Sequence, residues 1–533
     1  MNALPAWFTP LVLAVPVVAV GAFVITPIVV LAARAGTALA PTLTSARTAE
    51  VLAFTVAQAL VSTLVAVAIG VGPGIVLARH RVPGRRTALS VLTAVFVLPT
   101  VVMAAGVRAL LPTPLDRGPI AIITAHALFN LAVVVRMVAA VVIPDSAVAA
   151  ARTLGARPTT VVTTVVLPIV RPALIAAASV VFAFSFTSYG IVRILGDIGT
   201  STIEVEIWRQ AVQLGRVDTA VALTVVQVLA LGVAVGIGSA AARRTAVRWG
   251  PGAVAGRTPA GPIGSMAVLG VVLIGVAPLA ALVHASIRVA DGYSLSGWAN
   301  LLDDTIRPGL RLGLDPADAL ARSLVTAAVA ATAAVTVGAL TGVGVATTGR
   351  IGRAVDAVVM IPIAVSAVTV GLGLVVTFAT PPVDWRAAWF MLPLGHALVA
   401  LPFVLRPLLG AARSVDERLR WAAATLGAPP LRAVATGLLP ALRRPLVAGA
   451  GLAAAVSLGE FGASSVLSRS GGETLPVVIE RLLARTGGDF QARGHALAVV
   501  LAATTVALVA LVDRGSGDAG VPRPDDPSPR RQW

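Results

Sequence analysis

Long apolar runs recur along the whole chain and dominate its pattern of hydrophobic and polar positions. A helix needs about 20 mostly apolar residues to cross the hydrocarbon core of a bilayer. One such run can be a buried core helix, but twelve in series predict an all-α integral membrane protein with about twelve transmembrane helices. The predicted spans lie near residues 11–33, 51–77, 88–107, 119–142, 173–192, 218–241, 265–287, 323–348, 354–379, 387–409, 446–467 and 495–512.

The composition supports this interpretation. Of the 533 residues, 57% are hydrophobic and 12% are charged, and the mean hydropathy is +0.92. A soluble protein carries about 25% charged residues, so this chain lacks the polar surface to cover itself in water. The first apolar run has no basic region before it, which favours a retained span over a cleaved signal peptide.

The distribution of arginine predicts the orientation. With the N-terminus placed in the cytoplasm, 25 of the 41 basic residues fall on the cytoplasmic side, which has a net charge of +17, while the opposite side is neutral. This bias is typical of cytoplasmic loops, so both termini are predicted to be cytoplasmic. The positive charge therefore does not require nucleic acid as a partner.

Residue types that are missing exclude several kinds of chemistry. Lysine is absent, so the chain has no phosphate-binding loop and is not expected to hydrolyse ATP. Cysteine is also absent, which excludes disulfides and thiolate ligands. The five histidines are scattered and no two lie at metal-ligand spacing, so we expect no bound metal or cofactor and no catalytic residue.

Two segments repeat each other at a constant offset of 272 residues. Residues 150–174 and 422–446 are identical at 13 of 25 positions, and the offset continues further on, for example in the pair Ser185 and Ser457. Six spans per copy leave both copies in the same orientation, as the charge distribution requires.

The repeat divides the chain into four parts. We predict a first six-span repeat over 1–242, a cytoplasmic linker over 243–264, a second six-span repeat over 265–512, and a disordered cytoplasmic tail over 513–533. The linker is rich in Gly, Pro and Arg, and the tail is polar and rich in proline.

The most similar part of the repeat is a cytoplasmic loop in each half, over 145–168 and 417–440. Each loop contains an alanine-rich stretch that favours a helix, and then Gly155 or Gly427, which allows a sharp turn out of it. The Leu-Pro pair at the end of each loop favours the start of the next helix. The predicted object is a short helix lying across the cytoplasmic face.

These loops resemble the EAA loop of the permease subunits of binding-protein-dependent ABC importers. That signature reads EAA, three residues, Gly, nine residues, Ile-x-Leu-Pro, and its spacing is kept in both copies. The copies depart from it at the acidic position, which is Ala149 and Trp421, and at the Ile position, which is Val165 and Gly437.

The two-copy form resembles the ferric-iron and thiamine permeases in particular, over 126–136, 184–190, 201–211 and 396–406. The resemblance implies that each EAA loop is a coupling helix docking on one of two cytoplasmic ABC ATPase subunits, which use the ATP. The residues carried over to this role are Ala149, Ala150, Ala151, Leu154, Gly155, Pro168, Trp421, Ala422, Ala423, Leu426, Gly427 and Pro440.

Polar and aromatic residues of the spans are candidates for a substrate path. The carboxylate of Glu460 is costly in or near a span, which favours function, but it can also cap a helix at the outer interface. The paired histidines either contact substrate or pack between helices. The candidates are Ser185, Tyr189, Ser457, Glu460, Phe461, His126 and His396.

Two amphipathic segments, 201–211 and 473–485, are predicted on the extracytoplasmic side. They are candidates for contact with a binding protein, and the alternative is that they lie on lipid. Both interpretations fit the alternation of apolar and acidic residues.

The chain is therefore expected to be a permease subunit, not an enzyme, in a bacterial plasma membrane. It would pass on a solute delivered by an extracytoplasmic binding protein, with ferric iron as the first candidate and thiamine as the second. The main alternative is a twelve-span secondary transporter, which normally couples ions through charged residues inside its spans. A membrane enzyme would need a catalytic constellation, and we find none in the sequence.

Overall fold

A computed structural model describes residues 8–197, 199–245, 258–289, 292–299, 301–307, 310–311, 313–348, 355, 365–380, 383–385, 388–416, 418–469 and 471–517. Within these residues, ten helices are long and apolar enough to cross a membrane, and one further pair of helices meets this test together. The prediction of an all-α membrane protein is confirmed. The described part shows ten or eleven spans, against about twelve predicted.

The described helices divide between the two halves of the chain. The first half has α1 (Phe8–Val20), α2 (Thr26–Arg34), α3 (Gly36–Thr44), α4 (Ala46–Arg79), α5 (Arg85–Val97), α6 (Thr100–Leu110), α7 (Pro119–Ala139), α8 (Asp145–Thr153), α9 (Pro158–Val161), α10 (Leu167–Phe186), α11 (Gly190–Leu195), α12 (Ile203–Trp208) and α13 (Val217–Thr245). The second half has α14 (Pro262–Ile287), α15 (Ser296–Ala299), α16 (Pro316–Thr348), α17 (Ala367–Phe378), α18 (Met391–Ser414), α19 (Arg418–Thr425), α20 (Pro430–Leu458), α21 (Gly462–Leu467), α22 (Leu475–Ala484) and α23 (Gly488–Gly517). Short π-helical turns join α1 to α2 and α9 to α10, and another follows α12.

Four two-stranded pairs complete the described secondary structure. The parallel pair joins β1 (His80–Arg81) to β2 (Thr258–Pro259). The three antiparallel pairs are β3 (Arg288–Val289) with β4 (Gly292–Tyr293), β5 (Thr305–Arg307) with β6 (Leu310–Arg311), and β7 (Ala379–Thr380) with β8 (Val383–Asp384). The first pair attaches the end of the linker to the turn between α4 and α5.

The third predicted span, 88–107, is not one straight helix. It consists of α5 and α6, which meet at an angle of 102°. Leu98 and Pro99 between them are extended, because proline disfavours helical backbone in the residue before it and has no N–H to donate. The corresponding span of the second half, predicted over 354–379, is described only in part. The described helix in this region is α17 (Ala367–Phe378).

Other boundaries also shift. The spans predicted to begin at 173 and 446 continue helices that begin at Pro158 and Pro430, where proline at the first helical position is favourable. The last helix runs to Gly517, past the predicted boundary at 512, so the first residues of the predicted tail are helical. Residues 518–533 of the tail and 246–257 of the linker lie outside the described residues.

The first span of each half packs against the other half. Helices α1 and α2 contact α16 and α17, while α14 contacts α4, α5 and α6. Glycine makes both crossings close. A Cβ atom added at Gly106 of α6 would lie 2.5 Å from the carbonyl oxygen of Pro278 in α14, and one added at Gly373 of α17 would lie 2.9 Å from the Cβ of Pro27 in α2.

We expect Gly106→Val to destabilise the protein by about 3 kcal/mol, because the added atoms overlap the backbone of α14 and force the two halves apart. Thermal unfolding of the purified chain in detergent measures this. Gly270→Ala in α14 is the matched control, since an added Cβ there meets nothing within 4 Å. Equal melting temperatures for the two variants would contradict the close crossing.

Candidate transport path and coupling helices

The two EAA loops fold into short helices that end in the same way. Helix α8 ends with the N–H of Gly155 donating to Arg152 O and that of Ala156 donating to Ala151 O, at 2.9 and 3.1 Å. At the offset of 272, Gly427 donates to Ala424 O and Ala428 to Ala423 O, both at 3.0 Å. This pattern is the Schellman motif, in which the helix is closed by a residue in the left-handed conformation.

Glycine supplies that conformation in both copies. Gly155 has φ of +78° and Gly427 has φ of +83°. The predicted helix and its glycine turn are thus confirmed. The Leu-Pro pairs do not start a new helical run: Pro168 lies ten residues into the run that begins at Pro158, and Pro440 lies inside α20.

Each glycine turn presents a leucine to its surroundings. Leu154 is 87% exposed and Leu426 is 88% exposed. Of the neighbouring residues predicted to contact an ATPase, Ala149, Ala150, Trp421 and Ala422 are exposed as well, whereas Ala151 and Ala423 are half-buried. Exposed apolar side chains at the tips of two equivalent turns favour a partner surface over a fold-stabilising role.

Deeper in the molecule, the two copies break at equivalent places. Helix α10 ends at Phe186 and α11 begins at Gly190, while α20 ends at Leu458 and α21 begins at Gly462. The side chains before the restarts, Tyr189 and Phe461, meet across the boundary between halves with ring centroids 5.0 Å apart.

A cavity of about 220 Å³ lies at these breaks and is lined by residues of both halves. Four predicted residues line it: His126, Tyr189, Glu460 and Phe461. Thr100, Asn130 and Phe403 line it as well, although they were not among the predicted residues. The one sequence feature that could have identified Thr100 is its position directly after Pro99, where the helix breaks.

Ser185, Ser457 and His396 lie behind the wall of the cavity. The ring nitrogens of His396 lie 2.8 Å from the hydroxyls of Ser457 and Ser464, so this histidine connects α18, α20 and α21. Ser185 is fully buried, and its carbonyl accepts a hydrogen bond from Gln58 Nε2 at 2.9 Å. Their side chains face the packing between helices rather than the cavity.

His126 differs from its counterpart His396. Its Nδ1 lies 2.9 Å from Gln58 Oε1, and its Nε2 has no hydrogen-bond partner among the described residues. His126 lines the cavity, whereas His396 does not. The two equivalent histidines therefore have different surroundings: His396 packs between helices, and His126 lines the cavity.

Glu460 lies at the break before α21. Its Oε1 accepts the N–H of Ala463 at 2.9 Å, and the residue is 8% exposed. The carboxylate thus caps the short helix and lines the cavity at once. Among the described residues lining the cavity there is no arginine or lysine, and Glu460 is the one carboxyl group.

The two amphipathic segments form α12 and α22, and both are packed into the protein. Each is anchored to a span of its own half: Ile203 N donates to Thr55 Oγ1 at 2.9 Å, and Leu475 N donates to Ser323 Oγ at 2.8 Å. Most residues of both helices are buried, so the alternative of segments lying on lipid is wrong.

A second buried carboxylate lies on α12. Glu204 is fully buried and accepts a hydrogen bond from Gln227 Nε2 at 2.5 Å. Burial raises the pKa of this carboxyl to about 7, although hydrogen bonds oppose the shift.

The duplicated spans, the paired glycine turns and a shared polar cavity are typical of a multi-pass membrane permease. The chain matches the family model for the binding-protein-dependent transport system inner membrane component over residues 70–245 and again over 334–515, so it belongs to that family.

Curated relatives from Salmonella carry names that specify a solute. A relative from Salmonella typhimurium, PhnU, named as a permease protein of a 2-aminoethylphosphonate transport system, is 35% identical over 102 residues, which are 19% of this chain and 36% of the relative. A relative from Salmonella paratyphi A, PhnV, named for the same system, is 30% identical over 154 residues, 29% of this chain and 57% of the relative. The matched segment thus covers about a third of the length of PhnU and somewhat over half of the length of PhnV.

Proposed function

We propose that this chain forms the membrane path of an ABC importer, with both permease halves fused in one polypeptide. The observation that carries the proposal is the pair of coupling turns, which have the same hydrogen bonds at the same offset and present equally exposed leucines. Two equivalent docking points suit two ATPase subunits, which would supply the ATP chemistry that this chain lacks.

Transport would then proceed by alternating access in a bacterial plasma membrane, with both termini cytoplasmic. A loaded binding protein docks outside, the ATPase subunits close below, and the coupling helices carry that movement into the two halves. Since the first span of each half packs on the other half, the halves move about a shared core rather than separating completely.

The proposed orientation gives the cavity a direction. Its wall includes Phe403, three residues before the exposed Arg406 near the cytoplasmic end of α18, while α12 and α22 lie beyond the helix breaks on the opposite side. With α12 and α22 on its outer side, the path would be closed to the outside, which suits the state after a solute has been released.

The wall chemistry supports a solute with a positively charged group. The Glu460 carboxyl group, the His126 ring and the Asn130 amide suit a metal cation or an ammonium, and the described lining has no arginine or lysine to pair with an isolated anion. Ferric iron and thiamine meet this condition, as does the ammonium end of the 2-aminoethylphosphonate for which the relatives are named. We place ferric iron first and thiamine second, as the resemblance implies, with 2-aminoethylphosphonate as the third candidate.

Proteoliposomes test the proposal. The chain is reconstituted with the ATPase and binding protein encoded beside it, and uptake of radioactive ferric iron, thiamine and 2-aminoethylphosphonate is measured with and without ATP inside. We expect ATP-dependent uptake of one of these solutes, and only in the presence of the binding protein. Uptake driven by a proton gradient without ATP would support the secondary transporter instead.

A further inference from the structure

Beside the cavity, four residues contact one another across the boundary between halves, and we call them the outer seam: Arg193, Trp208, Ser465 and Glu480. Arg193 and Trp208 belong to the first half, and Ser465 and Glu480 belong to the second. At the offset of 272, Arg193 corresponds to Ser465 and Trp208 corresponds to Glu480. The seam therefore consists of two equivalent crossings, one on each side of the repeat axis.

The first crossing is an ion pair. Arg193 Nη2 of α11 lies 2.9 Å from Glu480 Oε1 of α22, and the side chains are 29% and 10% exposed. The guanidinium of Arg193 also lies 4.5 Å from the ring centroid of Trp208, which adds a cation–π contact. A charge-assisted hydrogen bond at this depth is stronger than a surface ion pair, which solvent screens.

The second crossing is neutral. Trp208 Nε1 donates to Ser465 O at 3.3 Å, where the first crossing has its carboxylate and guanidinium. A permease made of two identical subunits would need the same residue at both positions. A fused chain removes that constraint, and here only one of the two crossings has become ionic.

The surroundings make the ion pair costly to break. Burial raises the pKa of the Glu480 carboxyl, and the nearby guanidiniums of Arg193 and Arg481 oppose this shift. If Glu480 loses the guanidinium of Arg193 while it stays buried, its charge is left without that partner, which is unfavourable. The pair thus favours the closed state and does so across the boundary between halves.

We propose that the Arg193–Glu480 ion pair, seated on Trp208, positions the two halves so that the outer side of the transport path stays closed until a binding protein docks. This inference rests on the proposed function, since it needs a path that opens alternately to the two sides. It assigns to these residues a role in gating that is distinct from contact with the solute.

The natural absence of cysteine provides a direct test. Thr187, which lines the cavity, is replaced by Cys, so that a membrane-impermeant maleimide reports access to the cavity. Reagent is applied to intact cells for the outer side and to inside-out vesicles for the cytoplasmic side. We expect the parent to be labelled from the cytoplasmic side only.

Glu480→Gln in this background should raise the rate of labelling from outside about tenfold, because a buried charge-assisted bond holds the seam. The charge-swapped chain, Arg193→Glu with Glu480→Arg, should return the rate towards that of the parent. Glu473→Gln is the matched control: this buried carboxylate pairs with Arg481 at 2.7 Å within the second half, so its loss should leave outer labelling unchanged. If Glu480→Gln does not accumulate in the membrane, Arg193→Gln breaks the same bond from the other half.

The outcomes separate the two proposals. An unchanged outer rate in Glu480→Gln, with cytoplasmic labelling retained, would overturn the gating role and leave the transport path intact. Failure of the charge swap to lower a raised rate would also count against the ion pair. Absence of labelling from both sides in the parent would overturn the path and the gating role together.

Discussion

A chain with Asp in place of both Leu154 and Leu426 is expected to insert and fold normally but to lose its ATPase subunits. These leucines are almost fully exposed, so a carboxylate at either position is solvated and costs the free chain little. At a docked interface the same carboxylate would be buried without a partner. Apolar anchors in the centre of an interface contribute about 2–4 kcal/mol, which predicts affinity at least about 30-fold weaker for each docking point.

Co-purification of the ATPase with the tagged chain measures this loss, and size-exclusion chromatography of the chain alone measures its folding. Leu295→Asp is the matched control, because Leu295 is 66% exposed but lies between β4 and α15, on the predicted outer side. It should retain the ATPase. Normal co-purification with the double variant would mean that the glycine turns are not the docking points.

The glycine turns were predictable because their signal is local. An alanine-rich stretch followed by glycine at fixed spacing suffices to specify a short helix and a left-handed closing residue, and both copies fold in this way. The approximate positions of most spans follow equally from the length of apolar runs, although the described residues contain ten or eleven spans and about twelve were predicted.

The break between α5 and α6 was missed, although the sequence contains its signal. Apolar residues run on either side of Pro99, so hydropathy alone predicts one continuous span. The proline indicates the break only when its effect on Leu98 is weighed against that pattern. This break matters because it places Thr100 beside Gly190, where the two form one wall of the cavity.

The exchange of first spans between halves has no local signal. Helix α14 is apolar on all sides, so its sequence does not indicate which neighbour it packs against. The close approach of Gly106 to Pro278 is part of this packing, and it depends on residues 172 positions apart in the sequence.

The sequence predicted only some of the residues that line the cavity, because lining depends on where a helix ends. Ser185 and Thr187 are two residues apart, yet Ser185 is buried among helices and Thr187 lines the cavity. The end of α10 at Phe186 separates them, and a hydropathy pattern does not locate a helix end to within one residue. The prediction of Glu460 did not depend on the exact end of a helix. A carboxyl group in so apolar a region is energetically unfavourable, and the sequence alone shows this.

Replacing Glu460 is expected to have the largest effect on transport itself, and the choice of substituent separates its two roles. Glu460→Gln keeps an oxygen that accepts the N–H of Ala463, so the start of α21 should stay intact while the charge is lost. Glu460→Ala removes both the charge and the acceptor, which leaves a buried N–H without a partner and costs about 1–3 kcal/mol of stability.

We therefore expect Glu460→Gln to melt like the parent but to transport a positively charged solute at least about tenfold more slowly, with ATP hydrolysis still stimulated by the binding protein. Glu460→Asp, which retains the charge, should fall between the two. Uptake in proteoliposomes, ATP hydrolysis and thermal unfolding are measured on the same preparations. Full transport by Glu460→Gln, together with destabilisation of Glu460→Ala, would show that the carboxylate is only a helix cap, and the preference for a cationic solute would then lose its main support.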